Sequence, residues 1–178
     1  MAVMTVADDG AALLIVDVQA AFVGPETDAT VERIETLLTE WPATPLATTF
    51  RNRPDSAFVE VLGYDDAMAE PTLHPPIAEA VPESHRYERS EYGLDGTGVI
   101  ADIHDAGVER VYLAGLETDA CVLACGFDLF DADLRPVLVT DCTGTLGGDT
   151  LHDAAVRVAE RNFGGTHTAR EVTDRHDT

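Results

Sequence analysis

The chain has 178 residues, 45% of them apolar, and carries 33 acidic against 11 basic side chains, for a net charge of −22. That length suits one globular domain with one core, expected over residues 1–178, and no apolar run approaches the roughly 18 residues of a membrane span. A surface this negative repels phosphate backbones and anionic lipids, so nucleic acid and membrane are excluded as expected partners.

In chain order, Ala11 to Asp17 is a continuous apolar run ending in a carboxylate, as a strand buried on both faces should read. Thr30 to Trp41 has helical spacing at Val31, Ile34, Leu37 and Leu38, and Pro42 stops it. Pro45 to Phe50 reads as a second strand. Arg51 to Ser84 is irregular and rich in proline and acid, with a short helix expected near Pro75 to Ala80. Residues 85–89 suit a short third strand, and Thr97 to Ala106 a helix closed by Gly107. Arg110 to Leu116 is a clear strand, Asp119 to Phe130 a helix, Arg135 to Thr140 a strand and Asp149 to Arg161 a helix. Gly165 to Ala169 suits an edge strand, and residues 1–9 and 170–178 are expected to fray.

Alternating strands and helices predict an α/β fold with three α/β/α layers, built on a mostly parallel, doubly wound, Rossmann-like sheet of about six strands. Ligands of such sheets sit outside the carboxyl ends of the strands. No Gly-x-Gly-x-x-Gly or P-loop follows Asp17, which argues against a nucleotide-binding or flavodoxin-like domain.

All eleven basic residues are arginine, and the acid is spread along the chain rather than blocked at one end. This is the pattern of a solvated acidic shell suited to a salt-rich cytosol, where molar salt screens repulsion within about 3 Å. The melting temperature is therefore expected to rise between 0.1 M and 3 M KCl on a thermal scan (concentrations on the order that sets this screening length); an unchanged value would contradict the halophilic reading. The three cysteines, Cys121, Cys125 and Cys142, are an odd number with no signal-type segment before them, which points to reduced thiols and a cytoplasmic location.

Two strand ends carry chemistry. Asp17 closes the first strand, and Leu116-Glu117-Thr118 closes the one beginning at Arg110. With Thr118 as helix N-cap, Cys121 falls at the third helical position, where the helix dipole and free N–H groups favour thiolate. A thiol pKa below the usual ~8.5 is then expected. The plainer readings are that Asp17 is a turn residue and that Cys121, like Cys125 one turn on and Cys142 beyond the next strand, only packs the core.

The conjunction is more telling than either residue. Gly115-Leu-Glu-Thr-Asp-Ala-Cys-Val122 resembles the nucleophile motif of the isochorismatase-like cysteine hydrolases, which include isochorismatases, nicotinamidases and carbamoylsarcosine amidases. Ile15-Val-Asp-Val-Gln-Ala-Ala-Phe22 is similar to that family's first motif, and Val139 to Cys142 and His152 to Ala155 to its later segments. The resemblance runs from about residue 10 to 170 and implies a triad of Asp, Lys and Cys. Asp17 and Cys121 match; the lysine does not, because the chain has none. Counting back from Gly107 puts Arg89 in its place, with Tyr92 as the accompanying aromatic, and a three-residue slip would put Arg86 there. Arginine keeps the positive charge but does not act as a neutral amine.

The resemblance also implies a cis Leu116–Glu117 peptide that aims the Glu117 N–H beside that of Cys121 as an oxyanion hole. Nicotinamidases add a metal held by an Asp-x-His pair after the second strand. The matching stretch, residues 48–56, has no histidine, and His74 alone is a poor substitute, so no metal and no cofactor are expected. The other histidines, at 85, 104, 152, 167 and 176, read as surface or packing residues. Position suggests Phe22, Phe58 and Tyr92 as pocket walls and Asn52 as a reader of a polar substrate group. The implied protein is a metal-independent cysteine hydrolase cleaving a small amide, ureide or similar C–N bond, with a small-molecule substrate and a homo-oligomeric state, dimer or tetramer. The alternatives are an isochorismatase-type vinyl ether hydrolase and a catalytically silent binding or oligomeric module.

Overall fold

The computed structural model describes residues 5–7 and 10–175. Six strands, β1 (Ala11–Val16), β2 (Leu46–Phe50), β3 (Arg86–Arg89), β4 (Arg110–Leu116), β5 (Arg135–Gly144) and β6 (Thr166–His167), form one sheet in the order β3-β2-β1-β4-β5-β6, with every pairing parallel. The chain winds outward one way from β1 and then the other way from β4. The switch point lies between these two strands, where an open parallel sheet places its ligand.

Both central strands are buried throughout, because both sheet faces are covered. Side chains alternate between the faces. Leu13 and Ile15 of β1, with Tyr112 and Ala114 of β4, meet α1 (Asp28–Glu40) through Val31, Ile34 and Leu37. The same layer receives Ile77 of α3 (Pro75–Ala80) and Val172 of α7 (Ala169–Thr173). Leu14 and Val16, with Val111 and Leu113, meet the opposite layer: α4 (Val99–Asp105), α5 (Leu123–Asp131) and α6 (Asp149–Asn162). Complete burial of side chains such as Ile34 and Leu37 contributes about 1.5–3 kcal/mol each.

The strands follow the expected spans closely, with one extension. β5 runs four residues beyond Thr140, because a register shift opposite Leu113 and Gly115 lets Thr143 and Gly144 pair with Gly115 and Leu116. Three further differences concern short pieces. A four-residue helix, α2 (Ala57–Glu60), interrupts the irregular 51–84 segment, with the Ser56 hydroxyl capping Val59 N–H at 3.4 Å. Residues expected to fray form α7, fixed by a capping box between Thr168 and Glu171. At the other end Ala7 is buried and bonded to the start of β1. Residues 1–4, 8–9 and 176–178, His176 included, lie outside the described residues.

Two backbone positions bring the site together. Gly115 has φ +129°, and a Cβ there would lie 2.1 Å from the Val16 carbonyl oxygen, so only glycine lets β4 approach β1 at this level. Gly115→Ala is expected to lower stability by about 3 kcal/mol in a urea titration, by overpacking and backbone strain; an unchanged midpoint would contradict this close approach. Asp17 has φ +51°, a left-handed conformation that Asp tolerates better than most residues. Among the described residues no helix is long and apolar enough to cross a membrane.

Candidate active site

The carboxyl ends of β1, β3 and β4 deliver one side chain each to a single buried point. Asp17, just beyond β1, is wholly buried, and its Oδ1 accepts from Thr48 Oγ1 of β2 at 2.7 Å. Its other oxygen, Oδ2, accepts from Nη2 of Arg89, the last residue of β3, itself only 4% exposed. Arg89 Nη1 donates to the Glu91 carbonyl, and the guanidinium lies 5.7 Å from the centre of the Phe50 ring. Cys121, 5% exposed, completes the set, close enough to Asp17 and Arg89 for both charges to act on its thiol.

The choice between the two arginines is settled by geometry. Arg86 donates from Nε to the Val81 carbonyl at 2.9 Å and from Nη2 to Ala78 and Val81 carbonyls at 2.5 and 2.7 Å. It satisfies the free carbonyls at the end of α3 and plays no part in the site.

The helix carrying Cys121 opens differently from the expected pattern. Thr118 to Val122 form a wide π-type turn with Glu117 in the cap position, and α5 follows from Leu123. Thr118 is not the cap: its hydroxyl is 3.0 Å from His152 Nδ1 instead. A π-type turn in a helix is frequent at functional sites, and here it sits at the candidate nucleophile. No cis peptide occurs among the described residues, so Leu116–Glu117 is trans. The oxyanion hole built on a cis bond at Leu116 and Glu117 is therefore corrected; trans is the ordinary state of a non-proline peptide.

The thiol is also in a different state from the one expected at a helix N-terminus. Burial, then the Asp17 charge, push Cys121 up to about 12, against the opposing pull of Arg89. Burial likewise raises the Asp17 carboxyl, with Arg89, Thr48 and Cys121 acting against it. The resting site thus holds a protonated thiol beside a carboxylate that is a better base than an exposed one.

This bears on stability against pH. Burial raises Cys142 to about 12 as it does Cys121, and raises Cys125 too. The folded chain keeps protons that the unfolded chain releases, so these thiols contribute fully below the unfolded value and progressively less toward the folded one. Stability is expected to fall by about 1 kcal/mol for each thiol at pH ~10 relative to pH ~7.5. Equal urea midpoints at the two pH values would contradict it.

Above Cys121 is a cavity of about 200 Å³. Phe22, Phe50, Phe58, Tyr64 and Tyr92 supply its walls, with Leu62 beside them. The rings form a chain of tilted and edge-on contacts, with centroids 6.2 Å apart for Phe22–Phe50, 4.9 Å for Phe50–Phe58 and 4.7 Å for Phe58–Tyr92. The three aromatic walls expected from position are thus at the site. Asn52 is not a substrate reader. Its Nδ2 donates to the Tyr64 and Asp66 carbonyls at 2.8 and 3.2 Å, and its Oδ1 accepts from Arg53 N and Ser56 Oγ at 2.9 and 2.6 Å. It fixes the loop that carries Phe58 and Tyr64.

Two side chains gain roles that sequence reasoning did not assign them. Gln19 bridges 31 residues to Phe50, donating from Nε2 to its carbonyl at 2.8 Å and accepting its N–H at 2.7 Å. It holds the end of β2, and with it Phe50, against the loop after Asp17. Glu117, read before only as a backbone donor, also lines the cavity, and its carboxylate accepts from Thr145 Oγ1 at 2.7 Å and Leu146 N at 3.1 Å. Among the described residues no group of three or more His, Cys, Asp or Glu side chains is placed to hold a metal ion. His74 instead meets Glu35 at 3.0 Å, and His85 is buried.

Comparison with known proteins follows this geometry. The family model for the isochorismatase domain matches residues 11–171. A ureidoacrylate amidohydrolase (RutB) of Variovorax paradoxus is 27% identical over 131 residues, a match covering 72% of this chain and half the length of that relative. An isochorismatase-like hydrolase from Alkaliphilus metalliredigens superposes with a TM-score of 0.80 at 13% identity, over 93% of this chain and 98% of that one. The N-carbamoylsarcosine amidase of Thermoplasma acidophilum gives 0.72 at 20% identity, over 89% and 96%. With its sheet order and the family match over nearly its whole length, the chain belongs to the isochorismatase family and shares the fold of isochorismatase-like hydrolases.

Proposed function

We propose that this hydrolase cleaves a small amide, ureide or similar C–N bond through a Cys121 thioester, with Asp17 as base and Arg89 as the cation between them. One observation carries the reading: a hydrogen-bonded carboxylate and guanidinium meet a buried thiol at the sheet's switch point, beneath a cavity. The amide relatives support it by name only.

The steps follow from charge. As Cys121 Sγ approaches the carbonyl carbon, its proton passes to Asp17, so no free thiolate has to persist beside a carboxylate. Arg89 remains protonated and keeps the buried charge balanced while negative charge moves from Asp17 to the substrate oxygen. N–H groups of the turn opening at Thr118, that of Cys121 first among them, are the donors for that oxygen. Collapse expels the amine, which leaves with the proton held by Asp17. A water then gives its proton to Asp17 and attacks the thioester, releasing the acid and restoring the thiol. No step needs a neutral amine, so arginine serves in place of the family lysine, and none needs a metal.

The setting we propose is a salt-rich cytosol and a homo-oligomer, supported by the acidic shell, the three free thiols and the family resemblance. A panel of primary amides and ureides, followed by ammonia release in molar KCl, tests the activity, and turnover of at least one is expected. The elevated thiol and the absent lysine favour one rival, a silent binding module. Specific binding of panel members without any ammonia release would favour that rival.

A further inference from the structure

The cavity above Cys121 has a charge pattern that the proposed chemistry does not itself demand. Its walls are aromatic, and the ionisable side chain beside the thiol is Glu117, an acid; no lining residue is basic. Arg89 lies below the thiol and outside the cavity wall, with Nη2 on Asp17 and Nη1 on the Glu91 carbonyl. On the neighbouring loop Arg53 faces Glu91 at 3.3 Å and Arg51 faces Glu70 at 2.7 Å. Glu117 is fixed in place, since Thr145 Oγ1 and Leu146 N–H both donate to its carboxylate. Tyr64 across the cavity is pushed up to about 12, by burial first, with the nearby carboxylates Asp66, Glu117 and Asp17 adding to it.

A carboxylate entering here would lose its water among aromatic rings and meet the like charge of Glu117, with no basic side chain in the cavity wall to offset either. The volume, about 200 Å³, is a little above the roughly 150 Å³ that holds a benzene ring in an apolar cavity. Resting on the amide reading above, we infer that the site takes small uncharged carboxamides bearing an apolar ring or short alkyl group, with Glu117 as the specificity-determining residue that turns carboxylate-bearing amides away.

The test uses two probes of matched shape, 4-nitrobenzamide and 4-carboxybenzamide, on the wild-type protein and Glu117→Gln in molar KCl. Two readouts run in parallel: ammonia release, and protection of Cys121 from iodoacetamide followed by mass spectrometry. In the wild type the uncharged probe is expected to be preferred by about tenfold or more in both readouts, and Glu117→Gln to bring the pair within about threefold. Equal treatment of the two probes by the wild type would overturn the inference. So would a preference that Glu117→Gln leaves unchanged, or failure of both probes to protect Cys121. Discrimination in protection without ammonia release from either probe would support the charge selectivity and count against the amide reading instead.

Discussion

Cys121→Ala abolishes turnover while leaving the fold intact: this is the largest effect expected of any single substitution. The thiol is the group of the cavity lining that would form the proposed thioester, and its removal leaves the proposed binding and oxyanion contacts alone. A loss of more than ~10³-fold in kcat is the expected scale when a nucleophile is deleted. The folding cost is small, about 1 kcal/mol, because the change removes one buried sulfur and no hydrogen-bonded backbone. Circular dichroism and a urea midpoint check the fold beside the rate. Residual activity above about a tenth of wild type, a far smaller loss than deletion of a nucleophile brings, would remove Cys121 from its assigned role.

The second large effect is at Arg89, and it strikes stability and rate together. Asp17 is buried completely, and Arg89 is the cation that meets its charge. Deleting one partner of a buried pair costs about 3–5 kcal/mol, because the other charge is left without compensation. Arg89→Ala is therefore expected to lower the urea midpoint strongly at neutral pH. The loss should shrink in acid, where protonation discharges Asp17. Turnover should fall by ~10²-fold or more, since the cation no longer balances charge moving to the substrate oxygen. Arg89→Lys restores a positive point charge with three donors, the residue that the family pattern places here, and should recover most of both losses. An Arg89→Ala protein as stable and as active as wild type would show that the pair is incidental.

Much of this site was visible in the residues before any coordinates. β1 and β4 announce themselves because burial on both faces removes polar interruptions, leaving Ala11 to Val16 and Val111 to Leu116 almost wholly apolar. Asp17 and Cys121 stand at the ends of those runs, and Arg89 is reached by counting from Gly107. The departures have a common physical origin in contacts that leave no local period. Gln19 zips onto Phe50 across 31 residues, and Asn52 is consumed by carbonyls 12 and 14 residues ahead. Glu117 is oriented by Thr145 and Leu146, nearly thirty positions on. The direction of the thiol's shift has a related origin. A helix N-terminus lowers a thiol pKa in isolation, but burial against Asp17 outweighs it, and burial is a property of the assembled fold.

The measurement that reaches the central claim most directly is the pH dependence of Cys121 alkylation by iodoacetamide, resolved by site, in the wild type and in Asp17→Asn. It needs no knowledge of the substrate. With the thiol proton held between Cys121 and Asp17, the wild-type thiol should react more slowly near pH 8 than an unfolded thiol, whose ordinary value is ~8.5. Asp17→Asn removes the opposing charge and leaves Arg89 facing the sulfur, so alkylation at the same pH should accelerate while turnover is lost. A wild-type thiol already ionised below its ordinary value, and indifferent to Asp17→Asn, would contradict the shared proton and the base assigned to it.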